Sequence, residues 1–315
     1  MGEPIFFKPV FHDRIWGGTA LKDVFNYEIS SELVGECWGI SAHPHGPSAI
    51  EKGSFSTKTL DELWKQYPEI FNYLERDQFP LLVKILDANE DLSVQVHPGN
   101  EYASTFEQGE MGKTECWYIL DCKEGAEIIY GHHAATKEEF AEMITKGQWD
   151  QLLKKVKVKP GDFFYVPSGT IHALGKGTLV LEIQQNSDTT YRIYDYDRVD
   201  KNGNKRELHL EKALDVTNVP HTDFNHSISV TRDKNITITT FIQSQYFSVH
   251  KWAVNGEVSR LITDPFLLCS IINGEGKLVY RDREYLFQKG SHFMLPALIH
   301  EVDIIGKCEI MVCHP

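Results

Sequence analysis

The sequence predicts a mainly β fold: two jelly-roll barrels with a small helical insertion. Short runs rich in β-branched and aromatic residues, such as 163–166 and 179–183, are typical of strands. Gly and Pro separate these runs at short intervals, as turns between strands require. The segment 290–300 also repeats the pattern of 161–172 with one residue deleted. Since self-similarity within a chain indicates a repeated structural unit, this pair predicts a duplicated barrel.

Taken in order, residues 1–55 are rich in aromatic residues, Gly and Pro, and we expect strands and loops there rather than helices. Capping-box patterns follow at 59–62 and 136–139, each ahead of an amphipathic run. They predict short helical insertions near 57–75 and 136–155. The intervening sequence returns to strand patterns, so the helices are expected to project from a β framework.

Composition excludes two classes of partner. The chain has 315 residues and a formal net charge of −13 at pH 7, which opposes binding to nucleic acid or to anionic membranes. No apolar run approaches the length that spans a bilayer, and the start lacks the pattern of a signal peptide. The six cysteines form no Cys-x-x-Cys pair. We therefore expect a cytoplasmic protein with free thiols, and the sequence leaves monomer and homodimer open.

In the stretch around His97, polar side chains occupy one face of the predicted strand and apolar side chains occupy the other. Side chains alternate along an extended strand, so Ser93, Gln95 and His97 share one face while Val94 and Val96 share the other. Gln95 and His97 are then close enough to bind the same ion, and the β-branched neighbours hold that geometry.

Two further segments supply ligands of the same kind. Glu115 lies on a second strand-like run, and His172 ends the pattern Gly-x5-Pro-x-Gly-x2-His at 161–172. Gln95, His97, Glu115 and His172 together make a mixed nitrogen and oxygen site, which suits zinc better than calcium. Any one of them alone is more often an ordinary hydrogen-bonded residue. The set predicts one zinc ion per chain.

The second half of the duplicated pattern lacks these ligands. The copy at 290–300 ends in His300, but no Gln-x-His segment accompanies it, so His300 is interpreted as structural. A helix at 208–216 followed by a linker at 218–225 would separate the two units. We expect a catalytic, metal-binding domain at 1–222, which carries both helical insertions, and a second, metal-free β domain at 223–315.

The spacing that ends at His172 is the second motif of the cupin superfamily, and Gln95-Val-His97 stands where the first motif of that superfamily lies. The chain resembles the type I phosphomannose isomerases, which are zinc-dependent mannose-6-phosphate isomerases, and in particular their short bacterial branch. The stretches that carry the resemblance are 16–18, 35–44, 79–86, 92–98, 113–117, 166–174 and 181–192. The resemblance implies interconversion of mannose 6-phosphate and fructose 6-phosphate through an enediol or enediolate.

The resemblance also implies roles for individual residues. Arg192 matches the arginine that the family assigns to catalysis, and Glu182 and Lys113 match charged residues of the same site. A guanidinium stays protonated, so Arg192 is expected to hold the enediolate and sugar oxygens rather than to act as a base. The base is either Glu182 or a water activated by the metal.

For the phosphate group, Ser93, Lys84 and Lys113 match family positions that contact it, and Arg14 is a weaker candidate. Ammonium groups and a hydroxyl donor together suit a dianion. A sugar phosphate is thus the partner that the resemblance implies.

Two other classes remain open from the sequence. An iron-dependent cupin dioxygenase would use a similar fold, although such sites normally present more histidines and have no need of cations for a phosphate. A non-catalytic sugar-binding cupin would need neither Arg192 nor Lys113. Metal content and a direct assay separate the three.

Overall fold

The computed structural model describes residues 2–199, 202–225 and 227–315, and it confirms the mainly β class. In these residues strands extend along most of the chain. The strands are β1 Ile5–Lys8, β2 Val10–Gly18, β3 Val34–Ile40, β4 Ala49–Ile50, β5 Leu81–Ala88, β6 Val94–Val96, β7 Glu115–Cys122, β8 Glu127–His132, β9 Leu153–Lys157, β10 Phe163–Val166, β11 His172–Leu174, β12 Thr178–Gln185, β13 Tyr191–Tyr194, β14 Ser229–Asp233, β15 Ile236–Gln243, β16 Ser248–Leu261, β17 Leu267–Tyr280, β18 Arg283–Gln288, β19 His292–Leu295 and β20 Glu301–His314.

Short helices connect these strands. The α-helices are α1 Ala20–Phe25, α2 Leu60–Gln66, α3 Asn100–Phe106, α4 Lys137–Thr145, α5 Trp149–Leu152 and α6 Leu210–Val216, with a 3₁₀ helix at Pro68–Phe71. Both stretches that carry capping boxes are helical. The Thr59 backbone N–H donates to Glu62 Oε2 at 2.8 Å, and the Glu139 N–H donates to Thr136 Oγ1 at 3.2 Å. These bonds satisfy amide groups that the first turn of a helix leaves free.

The expectation of strands and loops alone in residues 1–55 is wrong at one place, because α1 lies there. Its Leu21 and Phe25 are buried in the core. Thr19, at its N-cap, makes no side-chain capping bond, and Lys22 stands where a capping box has Glu or Gln, so the capping-box signal is missing. The helix α3 went unpredicted for the same reason, since Gly99 stands at its N-cap. Packing, not capping, fixes these two helices.

Two antiparallel sheets face each other in the first part of the chain. One has six strands in the order β10-β7-β12-β5-β3-β2, and the other has five in the order β13-β6-β11-β8-β9. Apolar side chains fill the space around their contact, including Trp117, Ile119 and Val180 from the first sheet and Ile128 and Leu174 from the second.

A third sheet of nine strands contains β14 to β20 together with β1 and β4 from the start of the chain, in the order β14-β15-β16-β20-β17-β19-β1-β4 with β18 paired to β17. It encloses its own apolar cluster, in which Phe6 of β1 packs on Phe293 of β19 with ring centroids 5.1 Å apart. The predicted boundary at 222/223 stays a prediction. In the structure, a strand from residues 5–8 belongs to the sheet that residues 229–314 build.

The six-stranded and nine-stranded sheets pack against each other through His292. Its Nδ1 lies 2.8 Å from Ser270 Oγ, and its Nε2 lies 3.0 Å from Tyr27 Oη. Gly39 of β3 faces the ring at close range: a Cβ added at Gly39 would lie 2.3 Å from His292 Cε1. Only a residue without a side chain allows this approach.

We therefore expect Gly39→Ala to destabilise the protein by about 1 to 3 kcal/mol, because the added methyl group must displace a buried, hydrogen-bonded ring. Urea unfolding measures the loss. Gly99→Ala is the control for adding a methyl group, since its Cβ would meet Ser168 Oγ at 3.4 Å. Because Gly99 is the N-cap of α3, where Ala is less favourable than Gly, we expect a loss below about 1 kcal/mol. Equal unfolding midpoints for Gly39→Ala and the wild type would contradict this packing argument.

Among the described residues, the structure contains no helix that is both long enough and apolar enough to cross a membrane.

Candidate active site

The two facing sheets of the first part of the chain each contribute side chains to one cluster. In the five-stranded sheet, His172 of β11 and Arg192 of β13 pair with Gln95 of β6 from opposite sides. His97 follows directly after β6. Glu115 begins β7 in the six-stranded sheet, so its carboxylate approaches the histidines from across the barrel.

His97, Glu115 and His172 form a group able to hold a metal ion, with their ligand atoms within 4.8 Å of one another. The Nε2 atoms of the two histidines are 3.1 Å apart. Glu115 Oε2 lies 3.4 Å from His97 Nε2, and Oε1 lies 3.4 Å from His172 Nε2. All three side chains are buried. The distances define a closed triangle of potential ligand atoms.

The hydrogen bonds of the two imidazoles fix which nitrogens face the triangle. His97 Nδ1 lies 2.8 Å from the Thr189 carbonyl oxygen, and His172 Nδ1 lies 2.8 Å from the Thr170 carbonyl oxygen. A carbonyl only accepts, so both Nδ1 atoms carry the proton, and both Nε2 atoms present lone pairs to each other. Two nitrogen lone pairs 3.1 Å apart, beside a carboxylate, repel one another unless a cation binds between them.

The protonation states agree with this arrangement. Burial and the Lys113 ammonium lower the pKa of His97 to about 3, and burial also lowers the pKa of His172. Burial opposes ionisation of Glu115, but Lys113 and the two histidines hold its pKa well below the usual range. Glu115 Oε1 has no hydrogen-bond donor among the described residues. Neutral imidazoles and a carboxylate with a free oxygen form a donor set that fits zinc.

Gln95 and Lys113 border this group. The Gln95 amide nitrogen lies 3.4 Å from His172 Nε2, and turning the amide over brings its oxygen to the same position. The Lys113 ammonium donates to Glu115 Oε2 at 2.6 Å and lies 3.0 Å from His97 Nε2. The predicted ligand set is thus brought together, and Lys113 lies in direct contact with it.

A second charged group spans the six-stranded sheet. Lys84 Nζ lies 3.6 Å from Glu182 Oε2 and 3.9 Å from Glu36 Oε2, and it stacks on the Trp38 ring at 4.8 Å. Trp117 Nε1 donates to Glu182 Oε1 at 3.1 Å. Lys84 therefore lies between two buried carboxylates rather than at a solvated strand edge.

The two carboxylates beside Lys84 differ in acidity. Burial would raise the pKa of Glu36, but Lys84 and Arg14 outweigh burial and lower it to about 2. For Glu182, burial and the Glu115 carboxylate raise the pKa, against the opposing effect of Lys113 and Lys84. Glu36 is thus a weak base and Glu182 a stronger one.

The open side of the site is a cavity of about 480 Å³. It contains Arg14, Lys84, Ser93, Gln95, Lys113, Glu182 and Arg192 from the predicted set; the other lining residues are Asp13, Ile15, Trp16, Glu36, Leu86, Leu92, Trp117, Leu174, Asp188, Thr190 and Arg206. His97, Glu115 and His172 lie behind the wall formed by Gln95 and Lys113. Every residue predicted for the site either lines the cavity or lies directly behind it.

Sequence reasoning missed four charged residues that line the cavity, Asp13, Glu36, Asp188 and Arg206, and also Asp195, which pairs with Arg206. Glu36 stands inside the matched stretch 35–44, which was the available signal. Its carboxylate accepts from Arg14 Nε at 2.8 Å and from Trp38 Nε1 at 2.6 Å. Asp195 and Arg206 lie outside every matched stretch, and only the fold brings Arg206 to the cavity.

The sequence is similar to known proteins along its whole length. Residues 5–142 match the catalytic domain of type I phosphomannose isomerase, and residues 237–315 match the cupin domain of mannose-6-phosphate isomerase. The chain is 55% identical over 312 residues to the mannose-6-phosphate isomerase ManA of Bacillus subtilis (strain 168), covering 99% of both chains. It is 48% identical over 314 residues to the mannose-6-phosphate isomerase of Streptococcus mutans serotype c, covering 100% of this chain and 99% of the other.

Solved structures agree. The crystal structure of the mannose 6-phosphate isomerase from Bacillus subtilis superimposes with a TM-score of 0.98 at 56% identity, covering 99% of both chains. A putative mannosephosphate isomerase from Archaeoglobus fulgidus has the same fold, with a TM-score of 0.75 at 20% identity over 99% of this chain and 98% of the other. This chain belongs to the type I phosphomannose isomerase family.

Proposed function

We propose that the protein interconverts mannose 6-phosphate and fructose 6-phosphate, using one zinc ion per chain held by His97, Glu115, His172 and Gln95. The observation that carries the proposal is the pair of inward-facing Nε2 lone pairs beside a buried carboxylate, placed directly behind a cavity lined by acid, base and guanidinium groups. The names of the similar enzymes support the same activity.

Isomerisation of an aldose to a ketose moves a proton between C1 and C2 and passes through an enediolate. Bound zinc supplies polarisation of the sugar oxygens at these carbons. The proton needs a base that lines the cavity. Glu182 fits best, because its pKa is raised while those of Glu36 and Glu115 are lowered. A carboxyl with a raised pKa can both accept and return the proton.

Lys113 is suited to stabilise the negative charge that develops on the substrate oxygens. Burial disfavours its ammonium, but Glu115 and Glu182 raise its pKa, so it stays charged. It contacts the Glu115 carboxylate and lines the cavity. A fixed positive charge in a buried site stabilises an oxyanion more than the same charge in water.

Arg192 acts on the same oxygens from the other sheet. Its Nε donates to Ser93 Oγ at 3.1 Å and its Nη1 to the Glu207 carbonyl at 2.9 Å. Two neutral acceptors position the guanidinium without cancelling its charge. Among the described residues, no carboxylate lies within ion-pair distance of Arg192, so its charge is available to the enediolate.

Arg192→Ala is expected to lower kcat about a hundred- to thousand-fold with zinc content unchanged, since this is the usual cost of losing one donor to a developing oxyanion. Arg192→Lys should restore activity only in part, because an ammonium lacks the planar fork. Steady-state kinetics and metal analysis of both variants measure this. A rise in KM alone, with kcat intact, would make Arg192 an ordinary substrate clamp.

The predicted phosphate contacts of Ser93, Lys84, Lys113 and Arg14 stay predictions, as does a cytoplasmic location. All four side chains line the cavity.

Metal analysis of the purified protein together with a coupled assay on mannose 6-phosphate tests the proposed function. We expect one zinc ion per chain, formation of fructose 6-phosphate, and loss of activity on chelation that zinc restores. Stoichiometric iron with oxygen consumption would favour the dioxygenase instead. Sugar binding that survives chelation, without turnover, would favour the non-catalytic cupin.

A further inference from the structure

The cavity contains five cationic side chains, and most of their charges are already neutralised. Lys84 lies between Glu36 and Glu182, and Lys113 lies against Glu115. These lysines and carboxylates are all buried. A phosphate dianion placed on either lysine would compete with a carboxylate that has nowhere else to find a partner.

Arg14 is a poor anchor for the same reason. Its Nε donates to Glu36 Oε1 at 2.8 Å. Asp188 and Asp13 act on it as well, since both contribute to raising the pKa of Arg14. Both aspartates line the cavity at this end. The Arg14 end of the cavity therefore carries excess negative charge.

The opposite end differs, because Arg192 and Arg206 line the cavity together. They are close enough that Arg206 is the main charged group that lowers the pKa of Arg192, after burial. Two guanidinium groups facing one space repel each other unless an anion lies between them. Ser93 lies here as well. Its oxygen accepts from Arg192 Nε, and its hydroxyl donates to Gln95 Oε1 over 3.5 Å, a long bond that it can exchange for one to an anion.

Arg206 is held rigidly in this position. Its Nε donates to Asp195 Oδ2 at 2.8 Å and its Nη2 to Oδ1 at 2.5 Å, which is a bidentate pair. Asp195 is only 5% exposed and also accepts from Arg198 Nη2 at 2.5 Å. One carboxylate thus pairs with two guanidinium groups, so the end of the cavity near Arg206 keeps a net positive charge. A preorganised guanidinium loses little entropy when an anion binds.

We propose that Arg206, positioned by Asp195, binds the phosphate group of the sugar phosphate together with Ser93, at the end of the cavity beyond Arg192. This assignment rests on the proposed function, because it places the phosphate of that substrate. Lys84 and Lys113 then serve the reacting carbons, next to the metal ligands.

The separation along the sheet suits a six-carbon chain. His172, Gln95 and Arg192 are register partners on three neighbouring strands, β11, β6 and β13. Two strand spacings make roughly 9 to 10 Å. An open-chain hexose phosphate bound along this row has C1 and C2 near the metal ligands and its phosphate near Ser93 and Arg206.

Arg206→Gln tests the proposal without removing any group assigned to the reaction. The probes are mannitol 6-phosphate, mannitol and inorganic phosphate, each titrated by calorimetry into the zinc-loaded protein. We expect affinity for mannitol 6-phosphate and inorganic phosphate to fall about 10- to 100-fold, the usual range for losing a charge-assisted hydrogen bond. Affinity for mannitol should stay within twofold. Arg206→Lys should recover part of the loss.

Arg198→Gln is the matched control. It makes the same charge change on the same carboxylate, but Arg198 does not line the cavity. It should leave mannitol 6-phosphate binding within about threefold of wild type. An equal loss of affinity in both variants would mean that Arg206 acts only through long-range electrostatics, which would overturn the proposal. Normal binding of mannitol 6-phosphate by the Arg206→Gln protein would also overturn it.

Binding distinguishes this proposal from the proposed function. Suppose that the wild-type protein fails to isomerise mannose 6-phosphate, but Arg206→Gln selectively weakens the binding of mannitol 6-phosphate. The proposed phosphate site is then supported, and the protein catalyses a different reaction. If the isomerase activity is present and Arg206→Gln has no effect on phosphate binding or on kcat/KM, the reaction stands and the phosphate site is elsewhere.

Discussion

The His97→Ala protein is expected to purify with less than a tenth of the wild-type zinc and to have no measurable isomerase activity. The reason lies in the triangle of ligand atoms: His97 Nε2 is 3.1 Å from His172 Nε2 and 3.4 Å from Glu115 Oε2. Removing it leaves one imidazole, one carboxylate and the Gln95 amide, which is a weak donor because it is neutral. Catalytic zinc sites use three protein ligands. Without a bound cation, the enediolate oxygens lose their strongest source of stabilisation.

His132→Ala controls for the loss of a buried imidazole. His132 is 4% exposed, and its Nε2 hydrogen-bonds to the Asn218 carbonyl outside the cavity. We expect it to lower stability while keeping full zinc content. Metal analysis, thermal unfolding with and without added zinc, and the coupled assay are compared for both variants. Stoichiometric zinc and full activity in His97→Ala would place the metal site elsewhere.

Glu182→Gln is expected to lower kcat by about 10²- to 10⁴-fold, because an amide cannot accept a proton and general base catalysis contributes about this much. The amide keeps the size of the side chain and its bond with Trp117, so binding of mannitol 6-phosphate should persist. Exchange of the C2 proton with solvent should slow by the same factor as turnover. In the wild type, kcat/KM should fall as the pH drops through the pKa of Glu182, which must be ionised to act.

Glu36→Gln is the control for this change. Glu36 and Glu182 both contact Lys84 and both are buried, but the pKa of Glu36 is lowered to about 2. Its replacement should affect kcat by less than tenfold and should leave C2 proton exchange coupled to turnover. Full C2 exchange in Glu182→Gln would transfer the role of base to another group.

Local sequence signals predicted the regular parts of the fold. The strand at Phe163–Val166 and the helices behind Thr59 and Thr136 each carry their own signal, either β-branched and aromatic residues or a capping box. Neither α1 nor α3 has a capping box, because Lys22 stands at the N3 position of α1 and Gly99 is the N-cap of α3. These two helices form because residues distant in sequence bury a few of their side chains, and no local sequence pattern indicates such contacts.

The candidate metal ligands could be singled out from the sequence because three of them stand in motifs with fixed spacing. The charged residues that line the cavity could not be predicted in this way, since their positions depend on the register between strands. Lys84 meets Glu182 only because β5 and β12 pair residue 84 with residue 182. Arg206 reaches the cavity through its bond to Asp195, from a segment without a motif. Sequence patterns locate ligands within a strand, whereas the register between strands is a property of the whole sheet.

The membership of β1 in the nine-stranded sheet also determines the order in which the chain can fold during synthesis. Ile5 pairs with Met294, which the ribosome adds 289 residues later (294 minus 5). At typical elongation rates of 5 to 20 residues per second, roughly 15 to 60 s separate the two partners. Throughout that interval Phe6 and Phe7 have no strand to pair with on this side. The third sheet can take up β1 only when β19 emerges, and it is completed only when β20 follows.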